Sequence, residues 1–268
     1  RDALNYGIKE RTPEAIQMVV DALDDPFWDI RLTAIEKAVL LQAADKAIAV
    51  EKIKKLAQND PSSAVRSSAI SMLSTALSEA EATPIMERAV QSDSSYMVII
   101  NALNQLSKMN PQSAMKLAKP LENERSSSMM TGIASLYARH GKADQFAFFE
   151  RILSSNILQG FDQVGGLYHF TAFLVGKDLA LFSKSVKIYE GKAKNGDMYS
   201  KMYLGNYLEQ LTVHLEERIA GFKEEQNRQK QAGNANGADV AKANQAEAQA
   251  LIVEFKRIAA STEEENGH

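Results

Sequence analysis

The amino-acid sequence predicts an all-α fold in which helix pairs stack into an α-α superhelix that ends in long C-terminal helices. Three observations lead to this prediction. Apolar residues recur at helical spacing along most of the chain, one frame repeats between residues 12 and 109, and only helical patterns follow it. With 268 residues, of which 45% are hydrophobic, the chain is long enough to bury a sizeable core.

The repeated frame is centred on an acidic turn. The segments "DPFWDIRLTAI" (25–35) and "DPSSAVRSSAI" (60–70) align at an offset of 35 residues and share their Asp-Pro, Arg and Ala positions. A weaker copy, "SDSSYMVIINAL" (92–103), follows at an offset of about 33, where Asp93 and Val98 keep the frame but the Arg is lost. Self-similarity at a fixed period is typical of repeat proteins.

Each repeated unit has the pattern helix, acidic turn, helix. In "TPEAIQMVVDAL" (12–23), Thr12 is a suitable cap, Pro13 suits the first helical position, and the apolar residues follow at helical spacing. Thr83-Pro84 is expected to start another helix in the same way. A single helix pair cannot bury its apolar stripe alone, so the units are predicted to stack.

The units resemble HEAT repeats of the form D-P-x-x-x-[IV]-R-x-x-A-[IL]. The resemblance implies a HEAT/armadillo-like solenoid over residues 1–177, in one continuous domain with C-terminal helices (178–268) packed on the same superhelix. A long helix up to residue 231, a turn at 232–239, a last helix over about 240–260 and a frayed tail are expected. The predicted helix pairs are 12–41, 47–78, 83–109, 110–141 and 142–177.

The charged residues of the frame predict a polar ladder between repeats. Asp25 and Arg31 lie six residues apart across the start of a helix, as do Asp60 and Arg66. An Asp there can accept from free helix N–H groups, and an Arg can reach the Asp or a carbonyl of the neighbouring repeat. We therefore interpret these four residues as structural.

The single Trp of the chain, Trp28, lies at the start of the second helix of the first repeat. The second repeat has no aromatic residue there, so the frame does not require one. Two interpretations stay open. Trp28 packs against a neighbouring element, or it contacts a partner domain, since Trp is a favoured anchor in interfaces.

The sequence contains no recognisable catalytic or metal-binding motif. The four histidines, His140, His169, His214 and His268, are scattered, and we expect them on solvated helix surfaces. The segment "HLEE" (214–217) lacks the second His of a zinc-binding H-E-x-x-H helix, and the absence of Cys excludes thiol catalysis. No catalytic residue and no metal ligand is predicted in this chain.

An aromatic cluster between residues 146 and 173 has two readings. At helical spacing such residues are typically core, which is our prediction, and a ligand pocket is the alternative. Its members are Phe146, Phe148, Phe149, Phe161, Tyr168, His169, Phe170 and Phe173.

Charge and hydropathy narrow the partners and the compartment. The formal net charge of −3 gives no electrostatic reason to expect nucleic acid or an anionic membrane as a partner. No apolar run is long enough to span a membrane, and the first residues do not resemble a signal peptide. We expect a soluble protein, and both the cytoplasm and the periplasm stay open.

A second resemblance concerns residues 12–41. The stretch "PEAIQMVVDALDDPFWDIRLTAIEKAVLL" is similar to the C-terminal helical domain of bacterial zinc aminopeptidases of the aminopeptidase N family, particularly those with Bacteroidetes-like sequences. The resemblance implies a parent enzyme that binds zinc upstream of Arg1. It implies for this chain a non-catalytic domain that packs on its own upstream catalytic domain, limits access of peptide to the active site and contacts the peptide substrate.

The start of the chain agrees with that expectation. It begins at Arg1 without Met and continues with apolar residues, "ALNYGI" (3–8), which we interpret as a segment of a longer polypeptide. The alternative is a stand-alone HEAT-repeat scaffold that binds a partner protein or peptide.

Overall fold

The computed structural model describes residues 12–41 and 43–266, with side chains described for 12–41 and 45–262. Throughout this part of the chain every regular element is a helix, so the predicted all-α class is confirmed. The described residues form thirteen α-helices and one 3-10 turn, Ala143–Gln145. None of the described helices has a stretch both long enough and apolar enough to cross a bilayer.

The chain divides into two compact units, residues 1–121 and 122–268. The described helices of the first unit are α1 (Pro13–Ala22), α2 (Trp28–Ala38), α3 (Ala43–Asn59), α4 (Ser63–Ala76), α5 (Glu79–Ser92), α6 (Tyr96–Met109) and α7 (Pro111–Leu121). Those of the second are α8 (Ser127–His140), α9 (Phe146–Ser154), α10 (Phe161–Leu174), α11 (Leu179–Asn195), α12 (Met198–Gln231) and α13 (Ala235–Asn266).

This division differs from the expected one, in which a continuous array over 1–177 precedes the C-terminal helices. The predicted boundary at 177/178 lies inside the second unit, and the predicted pair 110–141 is split between the units. Packing explains the difference. Helix α10 packs against both α8 and α12, and α11 packs against α9 and α13, so the helices before and after residue 178 share one core.

The first unit is a stack of helix pairs. Helices α2, α4 and α6 lie side by side, and each follows a shorter or longer partner helix and an acidic turn. The first pair begins as predicted, with the hydroxyl of Thr12 accepting from the N–H of Ala15 at 3.2 Å and Pro13 in the first helical position. Val19 and Leu23 of the predicted apolar stripe are fully buried.

One predicted helix start is wrong. Thr83-Pro84 does not begin a helix, because α5 already starts at Glu79. The carboxylate of Glu81 accepts from both the N–H and the hydroxyl of Ser78, which fixes the start of the helix five residues before the proline. Pro84 then lies inside the helix near its N-terminus.

The second unit has a core of aromatic side chains and ends in two long helices. The long predicted helix is confirmed as α12, and the turn after it is shorter than expected. Gly233 has a φ of 73°, a left-handed conformation that suits glycine at a helix end. The next helix therefore begins at Ala235 instead of about 240, and it continues to Asn266 through the residues expected to fray.

Candidate functional site

The polar ladder of the first unit has its first rung between Arg31 and Asp60. The Nε of Arg31 donates to Oδ2 of Asp60 at 2.6 Å, and Nη2 donates to Oδ1 at 2.9 Å. Asp60 is 5% exposed and Arg31 is 9% exposed, so the pair is largely desolvated. A two-bond contact of this kind needs the planar fork of arginine, which lysine lacks.

The second rung repeats this geometry one unit further on. Arg66 donates from Nε and Nη2 to the two carboxylate oxygens of Asp93 at 2.7 and 2.8 Å. In both rungs Nη1 of the arginine also donates to two carbonyls of its own acidic turn, those of residues 25 and 26 for Arg31 and 60 and 61 for Arg66. Each arginine therefore connects two consecutive repeats of the first unit by hydrogen bonds.

Each aspartate of the ladder also accepts a hydrogen bond from the backbone just before the second helix of its own repeat. Oδ1 of Asp25 accepts from the N–H of Phe27, and Asp60 and Asp93 accept in the same way from the residues two positions on, all at 2.8 Å. Burial acts to raise the pKa of Asp93, but the bonds from Arg66 and the backbone outweigh it, and the net pKa is below the ordinary value.

The role of Asp93 as the partner of Arg66 had not been predicted. The signal was present in the sequence, because Asp93 keeps the frame of the third copy. In that copy Ile99 takes the position of the arginine, so the ladder ends at Asp93. At the other end the carboxylate of Asp25 accepts from the N–H of Phe27, but no Lys or Arg of the described residues forms an ion pair with it.

Beside that first aspartate lies a pair of exposed aromatic side chains, Phe27 and Trp28. Phe27 is 56% exposed and Trp28 is 43% exposed, with 6.2 Å between their ring centroids. Trp28 is therefore not a buried core residue. The equivalent residues of the second repeat, which also belongs to the first unit, are Ser62 and Ser63, so the stack itself does not need the aromatic pair.

The aromatic cluster of the second unit is mostly core, as predicted. Five of its six phenylalanines are buried, and they extend through ring contacts to Tyr137 and Tyr189. Phe161 and Tyr168 are exceptions, because they are 69% and 51% exposed. The buried phenylalanines are Phe146, Phe148, Phe149, Phe170 and Phe173.

The two exposed rings belong to a surface that we call the tyrosine stripe, formed by Phe161, Tyr168, Tyr199, Tyr203 and Tyr207, of which only Tyr207 is buried, at 7% exposure. The residues of α12 recur every four positions and so share one helix face, which lies beside α10. The ring centroids of Phe161 and Tyr199 are 4.9 Å apart, and those of Tyr168 and Tyr207 are 6.3 Å apart. The stripe contains no charged side chain.

The histidines do not all lie on solvated surfaces, which corrects the prediction. His169 is half-buried, and burial together with the nearby Arg139 lowers its pKa to about 4. His214 is half-buried against the ring of Phe182, and burial lowers its pKa as well. His140 is also only partly exposed, and His268 lies outside the described residues.

The described side chains do not form a metal site. Nowhere among them do three or more His, Asp or Glu residues come together in a group that could hold a metal ion. A zinc ion of the kind that the aminopeptidase resemblance implies would therefore have no ligand set among these residues.

Comparisons with known proteins add no family to this description. No model of a known protein family matches the sequence, and no curated protein matches it significantly. Function is therefore inferred from the surfaces described above.

Proposed function

We propose that this chain is a non-catalytic helical module that binds a protein partner, with Phe27 and Trp28 as its anchor. The observation that carries the proposal is the exposure of these two adjacent aromatic rings at a position where the next repeat has two serines. Large aromatic side chains left in water are unfavourable for an isolated chain and are enriched where interfaces derive most of their binding energy.

The partner that we favour is the catalytic domain of a zinc aminopeptidase encoded upstream of Arg1. The support is the resemblance of residues 12–41 to the helical domain of such enzymes, a segment that contains both anchor residues. In this role the module would pack on the catalytic domain and limit the access of peptides to the zinc site. The zinc and its ligands would belong to the catalytic domain.

A second candidate function is that of an independent scaffold that binds an extended peptide. The tyrosine stripe favours it, because rows of neutral aromatic rings with hydroxyl groups suit Pro-rich segments, which are already extended before they bind. A decaproline peptide is the probe for this alternative. Its binding should be lost in a Tyr168→Ser/Tyr203→Ser variant and kept in a Tyr96→Ser variant, whose changed tyrosine lies in the first unit.

The experiment for the favoured function begins with the reading frame upstream of the codon for Arg1. The polypeptide that it encodes is produced separately and titrated calorimetrically with the chain. We expect binding. A Phe27→Ser/Trp28→Ser variant, which has the two serines found at the equivalent positions of the second repeat, should bind at least about 30-fold more weakly, as for loss of an interface hot spot. Phe161→Ser, which changes a still more exposed aromatic residue of the unit 122–268, is the control and should bind normally.

Three outcomes would contradict the favoured function. The first is an upstream sequence without an H-E-x-x-H motif. The second is a Phe27→Ser/Trp28→Ser variant that binds as tightly as the unchanged chain. The third is hydrolysis of aminoacyl substrates by the purified chain with zinc of its own.

A further inference from the structure

Among the described residues, the first repeat (α1 and α2) differs from the next two in one respect: no described helix covers its outer apolar positions. Met18, Ala22 and Ile30 flank Asp25 on α1 and α2, and Met18 is 42% exposed, with the other two partly exposed. An open groove of about 830 Å³ lies over them. We call these four residues the open end.

In the second repeat (α3 and α4) and the third repeat (α5 and α6), the equivalent positions are buried. Adding 35 and then 33 residues to the open-end positions gives two further sets of similar residues. The apolar members of both sets are 5% exposed or less. The set of the second repeat is Ile53, Ala57, Asp60 and Val65, and the set of the third repeat is Met86, Val90, Asp93 and Val98.

The preceding helix pair is what covers these positions. On the second repeat, α1 packs against α3 and α2 packs against α4. Lys52 also donates to the carbonyl of Val20, and Arg31 binds Asp60. On the third repeat, α4 packs against α6, and Arg66 binds Asp93. The molecule thus shows twice which occupant such a surface accepts, namely a helix with an arginine directed at the aspartate.

The charges of the groove agree with a positively charged occupant. Of the described residues that line it, three are acidic, Glu14, Asp21 and Asp25, and none is Lys, Arg or His. Oδ1 of Asp25 accepts from the N–H of Phe27, just as Oδ1 of Asp60 accepts from the N–H of Ser62. In Asp60 that bond is compatible with the two-bond contact to Arg31, which uses both carboxylate oxygens.

We propose that the open end is a docking site for a protein partner that presents an arginine-bearing helix, whose guanidinium binds Asp25 as Arg31 binds Asp60. The proposal rests on the proposed function and adds the chemistry of the partner's contact. Arginine is required because the two existing rungs use its two-bond fork, which the single ammonium of lysine cannot reproduce.

The test uses disulfide tethering on the full chain. Because the chain has no Cys, a Gln17→Cys change at the edge of the groove provides a unique attachment point. The probe is a synthetic peptide with the sequence of residues 59–76 and an added terminal cysteine. This segment is chosen because its Arg66 binds the aspartate on the equivalent surface of the third repeat. Matched probes carry Lys or Ala in place of that arginine.

The tethered fraction at equilibrium in a thiol buffer, measured by mass spectrometry, reports the affinity of each probe for the groove. We expect the arginine probe to be held about tenfold more strongly than the lysine probe. An Asp25→Asn change should abolish that preference, and its side-chain oxygen can still accept from Phe27, so the fold is preserved. Asp239→Asn, at an exposed site on α13, is the matched control and should keep the preference.

Equal tethering of the arginine and lysine probes would overturn the proposal, and so would a preference that survives Asp25→Asn. These failures are distinguishable from failure of the proposed function. If binding of the upstream polypeptide depends on Phe27 and Trp28 but not on Asp25, the module function stands and the arginine site is refuted.

Discussion

The two units use different side chains for the same task of holding helices together. In the first unit all three aromatic residues of the described part, Phe27, Trp28 and Tyr96, are exposed, and the core consists of aliphatic side chains. In the second unit the largest buried side chains are aromatic, and they include Tyr137, Phe149 and Phe255. Aliphatic side chains can repack with little cost, so we expect the charged rungs to fix the register in which the repeats stack.

The largest expected effect comes from the aromatic core. Phe149 is fully buried and contacts Phe148, Phe170 and Phe173 through its ring. Phe149→Ala should lower the free energy of unfolding by about 4 kcal/mol, because it removes apolar contacts and leaves a cavity. Urea unfolding followed by circular dichroism measures this. Phe161→Ala is the control, and a similar loss in that variant would contradict the contrast between core and surface rings.

The ladder should give the next largest effect. Arg31→Ala leaves the carboxylate of Asp60 buried without its partner, which should cost about 3 kcal/mol. Arg31→Lys keeps the charge but loses the fork, so an intermediate loss is expected. Trp28 lies in the same unit, and its fluorescence follows the unfolding. A variant as stable as the unchanged chain would show that the rungs do not hold the units together.

Trp28→Ala should have a smaller effect. A fully buried tryptophan would cost about 3 kcal/mol or more, but this side chain is 43% exposed, so we expect about 1 kcal/mol. Circular dichroism is the measurement, since the variant lacks the only tryptophan. A loss as large as that of Phe149→Ala would place Trp28 in the core and would remove the basis for treating it as an anchor.

The smallest expected effect concerns pH. The pKa of His169 is lowered to about 4 in the folded chain from 6.5, so below pH 6.5 the unfolded state binds the proton more readily. Stability should therefore decrease as the pH falls from 6.5 towards 5, above the range in which most carboxylates titrate. The slope should be smaller in His169→Gln. An equal slope in both would show that His169 is not buried in its neutral form.

The sequence predicted local features more reliably than distant ones. The frame with Asp25 and Asp60 correctly indicated where α2 and α4 begin, because the signal lies within a few residues. Thr83-Pro84 was misleading, since proline at a first helical position is common, whereas the stronger capping signal of Ser78 and Glu81 was overlooked.

Features that depend on the packing of distant residues were missed. The pairing of Arg66 with Asp93 spans 27 residues and required the third copy to be read as a partner of the second. In the tyrosine stripe, Phe161 contacts Tyr199, although a whole helix, α11, separates them in the sequence. No local sequence pattern therefore reveals the stripe. The exposure of Trp28 likewise depends on what lies beside the helix and not on the residue type.

The central claim is that the first unit, at the open end and the adjacent aromatic pair, is the surface that binds a protein partner. Hydrogen exchange of the full chain, measured with and without the upstream polypeptide, tests it most directly. We predict slower exchange at residues 13–30 on binding and no change over 161–207. Protection confined to residues 161–207 would place the partner on the tyrosine stripe and would contradict the claim, as would a complex that leaves exchange at residues 13–30 unchanged.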